Sequence, residues 1–181
     1  MKLKRVVLLA LVLSLIFSAS VLAQDESFEF ADYEEDLEEY GIPSAQQVEE
    51  LKDEALSLYE DSNYEEAEEA LEYWGDTANH LANIISQGLD PFYSASRSDR
   101  DDISASNIRS LADYEDQANN LKRQRNEAYY KRAESLRQIG YEEEAFALYQ
   151  EVLGMLSVNE WDLWMDATNS LYEMVGVEPI D

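Results

Sequence analysis

Apolar residues recur at intervals of three and four along most of this chain, and nowhere do they alternate singly as a strand would require. The pattern is sharpest from Asn126 to Leu153, NEAYYKRAESLRQIGYEEEAFALYQEVL. Tyr129, Ala133 and Leu136 share one helical face and Ala145, Tyr149 and Val152 another, while Gly140 between them predicts a tight turn. The small Ala133 and Ala145 predict a close approach of the two helices, with larger side chains filling the space above and below.

Upstream, Gly41-Ile42-Pro43 breaks the chain, and Ser44 with Gln47 forms a capping box. A first helix follows to about Glu60, with Val48, Leu51, Ala55 and Leu58 on its apolar face. Asp61-Ser62-Asn63 is a turn, and Asn63 with Glu66 is expected to cap a second helix carrying Ala67, Leu71, Trp74, Ala78, Leu81 and Ile85 as far as Gly88. At roughly 25 residues that helix would measure ~38 Å, and Gly75 inside it predicts a bend. Gly88 to Asp102, GLDPFYSASRSDRDD, is expected to be a loop because Pro91 lacks a backbone donor, with Ser98 or Asp99 capping what comes next. A third helix spans about Ile103 to Ile139, as one rod or as two broken near Asn119-Asn120, with Ile108, Leu111, Ala118, Leu121, Ala128, Ala133 and Leu136 on its stripe. The fourth runs from the Gly140 turn to about Leu156. Ser157 with Glu160 opens a fifth, which carries Leu163, Ala167 and Leu171 before Gly176 and Pro179. The fold class is therefore all-α: an antiparallel stack of about five helices whose second and third form an elongated hairpin.

The pattern also repeats. Leu51, Ala55, Leu58, Ala67, Leu71 and Trp74 correspond to Tyr129, Ala133, Leu136, Ala145, Tyr149 and Val152, each 78 residues on, and Glu65-Glu66 corresponds to Glu143-Glu144. An offset of 34 takes Tyr129 to Leu163 and Ala133 to Ala167. EALSLYEDSNYEEAEEAL and AESLRQIGYEEEAFALYQEVL resemble tetratricopeptide (TPR) repeats, whose period is about 34 residues. One departure is Ser62, which stands where that family places its turn glycine. The resemblance implies a TPR-like α-solenoid over 44–177, with repeat-like units at 48–81 and 126–159, an insertion at 82–125 and a capping helix at 160–176. It further implies a scaffold that holds a protein or peptide partner in a concave groove, with Lys52, Leu56, Tyr59, Tyr130, Glu134 and Arg137 facing it. Of the basic and asparagine set with which some TPR proteins clamp a C-terminal carboxylate, only Lys52 is present, which disfavours a chaperone-tail ligand.

Charge narrows the partners. The formal net charge is -27, from 13 basic and 40 acidic residues. Such a surface repels nucleic-acid phosphates and anionic headgroups, so neither nucleic acid nor membrane insertion of the mature chain is expected. It favours solubility and equally suits a salty habitat in which self-repulsion is screened. Three of the basic residues, Lys2, Lys4 and Arg5, precede an apolar run from Val6 to Phe17, and Val21 and Ala23 stand at the small-residue positions of a cleavage site. Residues 1–23 therefore read as a signal peptide of a bacterial exported protein, periplasmic or secreted, or otherwise as an uncleaved anchor. The absence of cysteine excludes a lipid-modified cysteine, disulfides and thiolate metal sites. Residues 24–43 form an acidic leader with Phe28, Phe30, Tyr33 and Leu37 interspersed.

The remaining chemistry is sparse. His80 is the only histidine and lacks a glutamate three residues before it, so no helical di-iron site is expected. No nucleophile–histidine–acid set and no glycine-rich phosphate loop is recognisable, and Asp99, Asp101 and Asp102 lack calcium-loop spacing. No catalytic residue, cofactor or metal is expected. Lys122, Arg123, Arg125, Lys131, Arg132 and Arg137 crowd 16 positions of the third helix. They are expected to pair with acids such as Glu65, Glu66, Glu142 and Glu143, or else to form an anion site around Arg125 and Arg132 serving a solute-uptake system. Phe92, Tyr93, Arg97 and Arg100 in the expected loop are either a partner-binding spot or a cover for the hairpin end.

Overall fold

The structure, a computed structural model, describes residues 42–101 and 103–180; the expected signal peptide and most of the expected acidic leader lie outside them. The described residues form six helices and no strand: α1 (Ala45–Glu60), α2 (Tyr64–Ser94), α3 (Arg97–Asp101), α4 (Ala105–Ile139), α5 (Glu142–Met155) and α6 (Trp161–Met174). Those helices hold 83% of the described residues, an all-helical fold. None is long and apolar enough to cross a membrane.

Three helix ends share one construction. At Gly140 the backbone is left-handed (φ 92°), Tyr141 N–H donates to the Leu136 carbonyl at 2.9 Å and Gly140 N–H to that of Arg137 at 3.3 Å. This crossed pair satisfies carbonyls that the last helical turn leaves open. Gly176 (φ 72°) repeats it after α6, through Val177 N–H to Tyr172 at 2.8 Å and Gly176 N–H to Glu173 at 3.2 Å. Ser62 repeats it after α1 at φ 60°, through Asn63 N–H to Leu58 at 2.9 Å and Ser62 N–H to Tyr59 at 3.0 Å.

Small residues recur through the core. Ala55, Ala67, Ala133, Ala145 and Ala167 are all fully buried, as are Leu71, Trp74, Tyr149 and Val152. They fall into two clusters. One gathers Val48, Ala55, Ala67, Leu71, Trp74, Ala78 and Ala128 from α1, α2 and α4, and the other Ala133, Ala145, Tyr149, Val152 and Ala167 from α4, α5 and α6. Burying a side chain the size of leucine contributes about 1.5–3 kcal/mol, so these positions supply much of the stability. Gly75 marks a close approach. A Cβ there would lie 2.7 Å from Tyr129 Cδ1, on a ring that occupies the space the glycine leaves.

Side-chain pairs give the helix directions. Between α2 and α4, Glu68 meets Arg132, Asp76 meets Tyr129 and Asn79 meets Arg125, so numbers rise on one helix as they fall on the other. These two are antiparallel, and theirs is the most extensive helix pairing in the fold. Between α1 and α4 the order is parallel: Glu49 meets Gln124 and Tyr59 meets Glu134, both at a separation of 75. Likewise Asn126 meets Glu160 and Arg137 meets Glu173 between α4 and α6. Helix α4 is thus flanked by two helices running its own way.

Several boundaries differ from the sequence reading. Gly88 to Ser94 continues α2 instead of forming a loop, with Pro91 inside the helix. The carbonyl deprived of a donor belongs to Gln87, and both residues are exposed, so water replaces the lost bond while Leu89 is buried on the helix's inner side. At 31 residues α2 is about 46 Å long by the ~1.5 Å rise per residue. The remainder of the expected loop holds α3, which makes six helices rather than five. Helix α4 is one 35-residue rod with no break at Asn119-Asn120, and its cap is Ser104, whose Oγ accepts from Asn107 N–H at 3.4 Å, rather than Ser98 or Asp99. Ser44 caps α1 as expected, accepting from Gln47 N–H at 3.1 Å, whereas Asn63 makes no side-chain cap on α2. Ile108 is 45% exposed and does not belong to the buried stripe.

Candidate functional site

One stripe of α4 lies between its two parallel neighbours. Arg123, Glu127, Tyr130, Lys131 and Glu134 are spaced by one, three or four residues and so line one side of the helix. Toward α1, the Tyr59 hydroxyl donates to Glu134 Oε2 at 2.5 Å, and Lys131 Nζ stands 4.6 Å from the centre of the Tyr59 ring. Toward α6, the Tyr130 hydroxyl lies within reach of Glu134 and Ser170, and its ring meets the buried Tyr149 at 5.9 Å. Glu134 thus receives phenols from two directions. Between α4 and α6 a cavity of about 360 Å3 opens, bounded by Arg123, Glu127 and Lys131 on one wall and by Asp162, Leu163 and Asp166 on the other.

Electrostatics keep this site protonated at its aromatic groups. Burial, then hydrogen bonding and repulsion from Glu134, hold the Tyr59 phenol far above its ordinary pKa, and burial followed by the Glu134 charge does the same for Tyr130. Burial also pushes Tyr149 up to about 12. The phenols are therefore hydrogen-bond donors rather than acids or nucleophiles near neutrality.

Of the residues the resemblance implied, Tyr59, Tyr130 and Glu134 come together here. Lys52 lies on α1, 4.0 Å from Glu49 of its own helix. Leu56 is partly buried and packs against the first core cluster, so it supports the face without forming its open surface. Arg137 donates through both terminal nitrogens to Glu173 at 3.1 Å, joining α4 to α6.

The basic residues pair with other acids than those expected. Arg132 is held between Glu68 and Glu72, each at 2.7 Å, and neither it nor Arg137 pairs with Glu65, Glu66, Glu142 or Glu143. The reason is register: antiparallel packing brings the second and third turns of α2, not its first, opposite Arg132. Arg125 hydrogen bonds amide oxygens instead of carboxylates, at 2.8 Å to Asn79 and at 2.9–3.0 Å to Asn126, and burial lowers its pKa. Arg125 and Arg132 consequently do not converge into one anion site.

Phe92 and Tyr93 sit on the last turns of α2, their rings edge to face at 5.4 Å, with the Tyr93 hydroxyl directed at Glu115. Phe92, Ile103 and Leu111 border a cavity of about 550 Å3 at the hairpin end. Arg97 and Arg100 lie on α3, and neither lines it. Among the described residues no group of three or more histidine or acidic side chains could hold a metal ion.

Sequence reasoning named Leu163 only as a core position and passed over Glu127, Asp162 and Asp166. The signal available was the polar and aromatic stripe of residues 123–134, which runs opposite the buried Ala128 and Ala133. Compared with known protein families, with curated proteins and with solved structures, the chain matches none.

Proposed function

We propose that this chain is an exported, non-enzymatic, TPR-like scaffold that binds a protein or peptide partner on the face formed by α1, α4 and α6. The observation that carries this reading is the row of helices with parallel register. Its half-buried residues are organised by hydrogen bonds among Tyr59, Glu134 and Tyr130, beside an open cavity. Preformed donors and acceptors on rigid helices favour an extended ligand, because little ordering is left to the moment of binding. The matched turns at Ser62 and Gly140, with fully buried alanines in both core clusters, support the solenoid-like arrangement. Export rests on the leader sequence, which the described residues do not include.

The test is co-purification from the native envelope fraction. A partner should be retained by the wild type and lost when Glu134→Ala and Lys131→Glu are combined, with helicity unchanged. Equal retention by the variant removes the groove from the account. The second reading, an accessory of solute uptake, rests on Arg125 alone, since Glu68 and Glu72 already neutralise Arg132. Small carboxylates that raise the melting temperature in proportion to concentration, an effect abolished by Arg125→Gln, would favour it.

A further inference from the structure

Helix α6 carries two apolar stripes, and the core uses only one. Ala167, Leu171 and Met174 pack into the second cluster. Trp161, Trp164, Met165 and Tyr172 recur at helical spacing on another side and belong to neither cluster. Trp161 is 61% exposed, with its ring stacked on that of Trp164 at 4.9 Å and 22° between planes. Just before the helix, Val158 is 94% exposed. Past its other end the tail is pinned beside the stripe. Ile180 N–H donates to Asn169 Oδ1 at 2.8 Å, and Asn169 Nδ2 donates to the Ile180 carbonyl at 3.3 Å, with Val177 left half exposed. Among the described helices α5 makes the main packing against α6, and α4 a much smaller one.

The surroundings of this stripe are of one sign. From Gln138 to Asp181 the chain has ten acidic residues and no lysine, arginine or histidine. In a helical stack the outermost face is ordinarily polar, because an apolar one invites another layer. An exposed tryptophan stacked on a half-buried one, beside methionine and tyrosine and rimmed by charge, has the make-up of a binding hot spot. We propose that this edge docks a cationic amphipathic helix of a partner protein, laid along α6 as a further layer of the stack. Its apolar side covers Trp161, Trp164, Met165 and Tyr172, and its lysines and arginines face Asp162, Asp166 and Glu178. A second copy of this chain is the poorer occupant, because it would bring one wholly acidic edge against another.

Asp162 and Asp166 border both this edge and the groove cavity, so the test that separates the two reads the apolar stripe, which the groove does not use. The purified protein is titrated with a synthetic helix-forming peptide bearing leucines on one face and lysines on the other. Tryptophan emission and calorimetry report binding. Binding is expected with a blue shift, and Trp161→Ser or Met165→Glu should raise the Kd tenfold or more, while Ile108→Ser, at an exposed apolar position far along α4, leaves it unchanged. Circular dichroism confirms that each variant keeps its helicity. Three results would each overturn the proposal: Kd values unmoved by the α6 variants, equal binding of a scrambled peptide of the same composition, or self-association of the protein that Met165→Glu abolishes.

Discussion

The turns after α1 and α4 stand 78 residues apart and close with the same crossed hydrogen bonds, yet one is built on serine and the other on glycine. A left-handed backbone is nearly free for glycine and strained for a residue with a Cβ. Ser62 adopts it nonetheless, held by the same crossed pair of hydrogen bonds to Leu58 and Tyr59. The same contrast runs through the cores. At the first, Trp74 fills the space and its indole N–H donates to Gln124 at 3.2 Å, while Gln124 in turn donates to Glu49 at 3.0 Å. At the second, Val152 takes the matched position and Tyr149 supplies the bulk. Its hydroxyl, near Ser170, Glu134 and Arg137, forms no well-aligned hydrogen bond. Repeated geometry therefore does not require repeated residues. Small side chains in the core do recur, and the large ones fill whatever volume each site leaves.

Substitutions at matched positions should separate the two halves. Trp74→Ala is expected to cost about 3–5 kcal/mol by urea denaturation, since it opens a large cavity and strands Gln124. Val152→Ala removes far less volume and should cost clearly less. Equal losses would mean that the first core is no better filled than the second. Gly75→Ala pushes a methyl group into the Tyr129 ring and is expected to cost about 1–3 kcal/mol, whereas position 153, its counterpart, already accepts leucine. At the turns, Gly140→Ala should destabilise by about 1 kcal/mol and Ser62→Gly should stabilise by roughly 0.5–1 kcal/mol. Opposite signs are the point, and melting temperatures suffice to read them.

Titration sharpens the comparison with smaller effects. Tyr149, held at about 12, stands where the first core has Leu71. A phenol whose folded pKa is raised adds stability in full below its ordinary value near 10, and that stability is lost as pH rises from there toward about 12. Hydrogen exchange in strong alkali should thus loosen α5 before the first turns of α2. In acid two glutamates act oppositely. Burial would raise Glu160, but the Ser157 backbone, Asn126 and the Ser157 hydroxyl hold its pKa below the usual range. Its contribution is present above the unfolded pKa and disappears as pH falls through the folded one. Glu72 is raised by burial despite Arg132, so stability is lost as pH increases through its window. Glu160→Gln should flatten the acid side of the stability profile, and Glu72→Gln should not.

The sequence made the helical class, the Gly140 turn and the buried alanines legible because each rests on local spacing or on one backbone requirement. The hairpin end was misread for a physical reason. Proline was weighed as a helix breaker without asking whether the carbonyl it deprives faces water, and at Gln87 it does. Ion pairing was misjudged because partners across antiparallel helices depend on register, which periodicity leaves undetermined. Glu134 was named from the resemblance, but its two tyrosine partners lie 75 and four residues away, and only the fold unites them.

The most direct test of the binding face is site-specific photo-crosslinking in native extracts. A crosslinker at Glu127, in the cavity wall between α4 and α6, and another at Lys52 on α1 should capture the same partner. A third at Glu69, on the outer side of α1 and α2, should capture none of it. Adducts arising equally from Glu69, or from no groove position at all, would contradict the account.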